Sequence, residues 1–108
     1  MTDGRWWIGL VTFERREEQQ EILPAWAYGA CGWMVALASD EEAARALFVR
    51  DVEYHGLRVI EIEGEREVFG EDEIEEVDDH LAMNFREIET DKETVWGTIH
   101  CYKGEGEA

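Results

Sequence analysis

The sequence contains few serine, proline and cysteine residues. It contains one serine, one proline and two cysteines, and Cys31 and Cys101 lie far apart in the chain. Two isolated cysteines supply neither a zinc-binding set nor a disulfide framework, so we expect both to be small buried residues. The only serine, Ser39, has the position of a helix cap, which leaves no serine nucleophile beside a base. Stability must therefore come from packing.

Basic residues and long apolar runs are also scarce. The chain has 10 Lys and Arg against 27 Asp and Glu, a formal net charge of −17. A field of this sign repels nucleic acid and anionic membranes, and it attracts basic protein surfaces. No run reaches the roughly 18 apolar residues of a transmembrane helix, and the first residues lack the basic and apolar regions of a signal peptide. We therefore expect a cytoplasmic protein that binds neither nucleic acid nor membranes.

The negative charge is concentrated in one third of the chain. Residues 60–94 contain 15 acidic and 3 basic side chains, which is a net charge of −12. The hydrophobic fraction of 44% and the five tryptophans are too high for a disordered acidic tail. We expect one domain over residues 1–108, with 103–108 as a flexible tail. The acidity has two interpretations, binding of a partner or solubility in an acid-biased proteome.

Hydrophobic patterning predicts four strands and two helices. The predicted strands are Trp6–Phe13, Ala25–Ala38, Leu57–Glu63 and Thr94–Tyr102. The predicted helices are Asp40–His55 and Glu71–Ile88. Ser39 and Glu42 have the spacing of a capping box for the first helix. The second helix carries an apolar stripe of Ile74, Val77, Leu81, Phe85 and Ile88.

This order of elements, β-β-α-β-α-β, predicts an α+β fold. The simplest arrangement is a two-layer sandwich, in which two helices cover one face of a four-stranded, mostly antiparallel or mixed sheet. The second strand, the first helix and the third strand form a βαβ-type unit. In the turn that follows, we expect Val68 and Phe69 to reach back to the core.

No group of residues has the spacing of a catalytic or metal site. His100 and Cys101 are neighbours in a predicted strand and so point to opposite faces. Glu76, Asp79 and His80 share a helix, but no second His or Cys lies at ligand spacing there. We therefore expect no enzymatic activity, no cofactor and no metal ion.

Aromatic residues on the last strand give a second indication of function. Alternation places Trp96, Thr98, His100 and Tyr102 on one face, and the apolar set of Val95, Gly97, Ile99 and Cys101 on the other. The first set is aromatic and half-polar, which is typical of a face that meets a partner or a ligand. Coverage of this face by a loop or by a second copy of the chain is the alternative.

These features favour a small acidic module that binds a basic protein. In size, charge and class the chain resembles the bacterial immunity proteins that neutralise toxins, many of them nucleases with basic active sites. The resemblance implies an inhibitor whose acidic side chains occupy a site meant for phosphates. From the sequence we predict electrostatic contacts at Glu71, Asp72, Glu75, Glu76, Asp78 and Asp79, with Trp96, His100 and Tyr102 as anchors.

A second hypothesis belongs to another class of protein. It is a small-ligand-binding or sensory α+β domain that forms a homodimer through an aromatic, helix-free sheet face. Trp96, Tyr102 and Tyr28 would then hold an apolar or cationic molecule, because aromatic rings in a negative field attract cations.

Overall fold

The computed structural model describes residues 4–16, 22–86 and 93–102. Its elements in chain order are β1 (Arg5–Arg15), β2 (Gly29–Ala38), α1 (Glu41–Tyr54), β3 (Leu57–Val68), α2 (Glu71–Val77), α3 (Asp79–Arg86) and β4 (Thr94–Tyr102). The predicted α+β class is confirmed, and the four strands form one sheet. The predicted tail at 103–108 lies outside the described residues. None of the helices in the described ranges is long and apolar enough to cross a membrane.

The sheet has the strand order β3-β1-β2-β4, and all neighbouring strands are antiparallel. Since β2 and β3 both pair antiparallel with β1, they are parallel to each other. The predicted βαβ-type unit is therefore present, with β1 lying between its two strands. The chain then crosses from β3 at one edge to β4 at the other through α2 and α3. Both edge strands are thus reached by helical connections.

One face of the sheet is closed by α1. Val11 and Phe13 of β1 are fully buried there with Phe48 and Val52 of α1. The β1–β2 connection adds Leu23, which is also buried in this cluster. Phe48 and Val52 are four residues apart, so they share one side of α1 and face the sheet together.

The opposite face is covered by α2 and α3. Ile8, Val35 and Val95 form a row across β1, β2 and β4, and they pack in a separate cluster with Ile74 and Leu81. The prediction that both helices lie on one face is therefore wrong. The physical reason is visible in β1, whose sequence is apolar on both sides, so each face needs its own cover.

The second predicted helix is two helices with a break at Asp78. The backbone there is extended, with φ −160° and ψ 112°, and α3 begins at the next residue. The apolar stripe is nevertheless confirmed for its described members, because Ile74, Val77, Leu81 and Phe85 all pack in the same cluster. Ile88 lies outside the described residues.

A bulge divides β4 between the two faces. Met34 pairs with Trp96 but Gly32 pairs with Ile99, so β4 has one residue more than β2 over this interval. An extra residue reverses the alternation of side chains that follows it. The prediction that Trp96, His100 and Tyr102 share a face is therefore wrong. Trp96 lies on the α1 face with Ile99 and Cys101, whereas His100 and Tyr102 lie on the opposite face.

Three local predictions also need correction. Asp40, not Ser39, is the N-cap of α1, and its Oδ1 accepts a hydrogen bond of 2.8 Å from the Ala43 amide. The second strand begins at Gly29 rather than at residue 25. Val68 reaches the core as predicted, but Phe69 is 81% exposed because its amide donates to the Glu73 carboxylate and turns the chain into α2.

Candidate functional site

The junction between α2 and α3 is organised by the Asp78 carboxylate. Its Oδ1 accepts from the amides of His80 at 2.8 Å and Leu81 at 3.1 Å, which caps the start of α3. Its Oδ2 accepts from the Thr98 amide of β4 at 3.0 Å. The Thr98 hydroxyl lies 3.2 Å from Oδ1 as a further donor. Asp78 therefore joins the helical layer to the edge of the sheet.

These hydrogen bonds favour the ionised form of the Asp78 carboxyl. Burial alone would raise the pKa of its carboxyl, but hydrogen bonds from the Leu81 amide, from the amide and hydroxyl of Thr98 and from the His80 amide outweigh that effect. The pKa is lowered below the ordinary value of 3.8. The group is consequently a carboxylate at neutral pH whose lone pairs are used within the fold. The predicted electrostatic contact at Asp78 has a structural role.

A second side chain of α3 also covers the outer edge of β4. The Asn84 amide nitrogen donates to the Trp96 carbonyl at 2.7 Å. Between the two covered groups lies Gly97, where an added Cβ would approach Leu81 Cβ to 2.8 Å and Asp78 Oδ2 to 2.9 Å. Glycine is required here for α3 to approach the strand this closely. The helix therefore lies against the edge of β4 as well as against its face.

The other predicted acidic contacts fall into two groups. Glu71 and Glu75 both bind Arg86 of α3, at 2.6 and 3.1 Å. The hydrogen bond from Arg86 to Glu71 raises the pKa of the guanidinium further. Asp72 and Glu76 are exposed, and so is Asp79 at the start of α3. None of these three pairs with a cation among the described residues. Only this second group is available to a partner.

The predicted anchor Trp96 is used inside the fold. Its indole N–H donates to the Asp51 carboxylate of α1. Its ring makes edge contacts with Phe13 and His55, at centroid distances of 5.5 and 5.7 Å. The side chain therefore joins α1 to the sheet.

Beyond α2 and α3, no helix among the described residues lies over the remaining half of the second sheet face. Two rows of side chains cross it, Glu63–Leu10–Trp33 and Glu61–Thr12–Cys31–His100, and Tyr102 lies opposite Gly29 in the next row. The apolar members of these rows are half-buried, whereas Glu61, His100 and Tyr102 are exposed. We call this area the open face, and its members are Leu10, Thr12, Cys31, Trp33, Glu61, Glu63, His100 and Tyr102.

The two predicted anchors on the open face have distinct surroundings. The Tyr102 ring lies over Gly29, where an added Cβ would approach the Tyr102 hydroxyl oxygen to 2.5 Å. Burial, and to a lesser extent the Cys31 thiol, raises the pKa of the Tyr102 phenol. His100 lines a groove of about 470 Å³ between β4 and the α2–α3 junction. The groove is lined by Val77, Asp78, Asp79, His80, Met83, Thr98 and His100.

Sequence reasoning missed the open-face side chains of β1, β2 and β3. Glu61 and Glu63 contribute to the acidic segment, but only the strand register places them beside Thr12 and Leu10. Trp33 could have been found, because it alternates with the core residues Met34 and Gly32 of a strand that is apolar on both sides. The alternation of β2 indicates a second partly buried face, but a two-layer fold leaves that face without a helical cover.

The described residues contain no group of three or more His, Cys, Asp or Glu side chains that could hold a metal ion. Cys31 and Cys101 are free thiols on opposite faces of the sheet. Comparisons of the chain with protein-family models, with curated proteins and with solved structures give no match.

Proposed function

We propose that this chain is a protein-binding module that recognises a basic protein. The observation that carries the proposal is the use of arginine within the fold. In the described part of the chain, every arginine has a polar partner. Six pair with carboxylates, and Arg15 and Arg16 donate to backbone carbonyls. The arginines of the described residues are thus already engaged within the fold.

Many carboxylates, in contrast, have no cation beside them. Within the described ranges, the side chains without an ion pair include Glu61, Glu63, Asp72, Glu76 and Asp79. They lie on β3, α2 and the start of α3, on the side of the sheet opposite α1. This excess of unpaired negative charge attracts a basic surface and accelerates its encounter with the chain. The same field opposes binding of nucleic acid.

The partner that fits this charge best is a basic protein whose own site binds phosphates, such as a nuclease. Carboxylates on a folded surface can occupy positions that phosphate groups take in a substrate, and so block the site. This role would make the chain an inhibitor of the immunity-protein kind. The alternative, a ligand-binding homodimer with an aromatic sheet face, gains no support because its central residue, Trp96, packs between α1 and the sheet.

Affinity capture followed by kinetics tests the proposal. The immobilised chain is exposed to a lysate of its source organism at low salt, bound proteins are eluted with a salt gradient, and the eluate is identified by mass spectrometry. We expect one stoichiometric basic protein that elutes late. The association rate of that purified protein should then fall steeply between low salt and 0.5 M salt, because screening shortens the range of the field to about 3–4 Å.

Two outcomes would contradict the proposal. One is elution of only generic basic proteins at low salt, which would make the acidity a solubility feature. The other is a discrete partner whose association rate is unchanged at 0.5 M salt, which would leave the carboxylates without a role in binding.

A further inference from the structure

We infer that the open face, together with the groove beside it, is the docking site for a lysine- or arginine-bearing segment of the basic partner. The inference rests on the proposed function and specifies its surface. The sequence predicts electrostatic contacts on the acidic helix region, with anchors on the last strand. Two of those carboxylates, Glu71 and Glu75, are bound to Arg86, and a third, Asp78, is used as a cap.

The shape of the open face suits an inserted chain segment. Its floor is half-buried and partly apolar, with Leu10 and Trp33 side by side on β1 and β2. α2 and α3 rise along one end of it. The groove adds Val77 and Met83 as apolar contacts next to Asp79. A lysine or arginine side chain fits such a site, because its aliphatic stem packs on apolar groups while its charged end reaches a carboxylate.

The charge of the open face has the same sign on both sides. Glu61 and Glu63 lie on β3, and Asp79 lies in the groove beside β4. Three strand spacings separate β3 from β4, about 14 Å, which is close to the width of one helix or one extended segment with its side chains. The basic side chain in the next row is Arg58, which binds Glu14. A basic segment on this floor therefore meets carboxylates on two sides.

The size of the open face argues against a second copy of the chain as its occupant. Its rows cover an area of roughly 14 by 14 Å, about 200 Å², whereas a stable complex buries about 800 Å² on each partner. Two copies that each carry a charge of −17 also repel one another. A segment of a basic protein meets neither obstacle, since its flanking surface can extend the contact over α2.

The first test compares two triple variants of equal charge in binding a fluorescein-labelled nona-arginine peptide by fluorescence anisotropy. Glu61→Gln/Glu63→Gln/Asp79→Asn removes the carboxylates around the open face. Glu41→Gln/Glu42→Gln/Glu53→Gln removes three exposed, unpaired carboxylates from α1 on the other side of the sheet. We expect about tenfold weaker binding for the first variant and less than about threefold for the second, because only the first loses direct ion pairs.

The second test compares the reactivity of the two cysteines, with Cys101 as the internal control for Cys31. Cys31 lies on the open face and Cys101 on the α1 face, and both are half-buried free thiols. Bound nona-arginine should slow alkylation of Cys31 by iodoacetamide several-fold, as measured by mass spectrometry, and leave the rate at Cys101 unchanged. Spermine provides the comparison with a small cation, and we expect it to protect Cys31 far less than the peptide does.

Equal weakening in the two triple variants, or equal alkylation rates at Cys31 with and without peptide, would overturn the open face as the docking site while leaving the proposed function standing. Protection of Cys31 by spermine as strong as that by the peptide would overturn the choice of a protein segment. Failure of the unaltered chain to bind the peptide at low salt, together with failure to capture any discrete basic protein, would instead overturn the proposed function.

Discussion

The two faces of the sheet both carry apolar side chains, but the helices cover them to different extents. The α1 face is closed from end to end, with Val11, Phe13 and Phe48 completely buried. Within the described residues, the opposite face is closed at the row of Ile8, Val35 and Val95 and at the adjoining pair of Trp6 and Val68. The two rows on the other side are half-buried or exposed. The larger of the two buried clusters thus lies on the α1 side, and the open face belongs to the side with the smaller one.

With the open face as the proposed docking site, residues that stabilise the fold and residues that bind a partner form two separate sets. Side chains that hold α1 in place, such as Phe48 and Trp96, have no part in the open face. Side chains of the open face, such as Glu61 and His100, have few structural partners. Changes to the second set should therefore alter binding with little loss of folding free energy, and changes to the first should do the reverse.

The largest expected effect comes from truncating a side chain on the closed face. Phe48→Ala should lower the free energy of unfolding by about 3–5 kcal/mol, because it removes a fully buried ring and leaves a cavity against Gly9. Leu10→Ala on the open face is the matched change and should cost about 1 kcal/mol, since that side chain is only half-buried. Urea unfolding monitored by circular dichroism measures both. Equal losses would mean that the open face is part of the core.

An intermediate effect is expected at the junction of α2 and α3. Asp78→Ala removes the cap of α3 and leaves the Thr98 amide without its acceptor, so it should cost about 2 kcal/mol. The effect depends on pH. Because the folded-state pKa of Asp78 is lowered, its contribution is complete above about pH 4 and is lost as the pH falls through that lowered value.

Unfolding curves between pH 7 and pH 2 provide the readout for this junction. The unaltered chain should lose stability below about pH 4, and Asp78→Asn, which keeps a side-chain oxygen but cannot ionise, should show a smaller loss over the same range. A Asp78→Asn variant with the same acid dependence as the unaltered chain would show that other carboxyl groups cause the loss.

The smallest expected effect distinguishes the two candidate caps of α1. Asp40→Ala removes the acceptor for the Ala43 amide and should cost about 1 kcal/mol. Ser39→Ala, one residue earlier, should change the free energy of unfolding by less than about 0.5 kcal/mol, because Ser39 makes no cap in the structure. A larger loss for Ser39→Ala than for Asp40→Ala would restore the capping box that the sequence predicts.

The sequence predicts the elements of this fold better than it predicts their placement. The strand Thr94–Tyr102 is confirmed at both ends, and the apolar residues of both helical regions face the core. The break at Asp78 is invisible to periodicity, because α2 and α3 pack on the same row of the sheet and the spacing of Val77 and Leu81 continues across it. A local hydrogen-bonding group, not a change of hydrophobic pattern, ends α2.

The candidate site depended on two features that alternation cannot reveal. A strand sequence does not show where a bulge will insert a residue, so Trp96 and His100 appeared to share a face. It also does not show which face a helix will cover, so Glu61 and Glu63 remained part of a general acidic segment. Of the nine predicted partner residues, the open face and its groove contain Asp78, Asp79, His100 and Tyr102, and Asp78 is there as a cap.

The two outer edges of the sheet also have different protection against pairing with another chain. β3 carries charged side chains along its length, which discourage a further strand from adding to it. β4 has no Asp, Glu, Lys or Arg between Thr94 and Tyr102, and its backbone is covered instead by Asp78 and Asn84. Acid acts on these two safeguards at different pH: repulsion between molecules is smallest near the isoelectric point of about 4.3, whereas the Asp78 cover is lost only below the ordinary carboxyl pKa of 3.8. Aggregation should therefore be greatest near pH 4.3 and should involve β4, the outer strand without Asp, Glu, Lys or Arg.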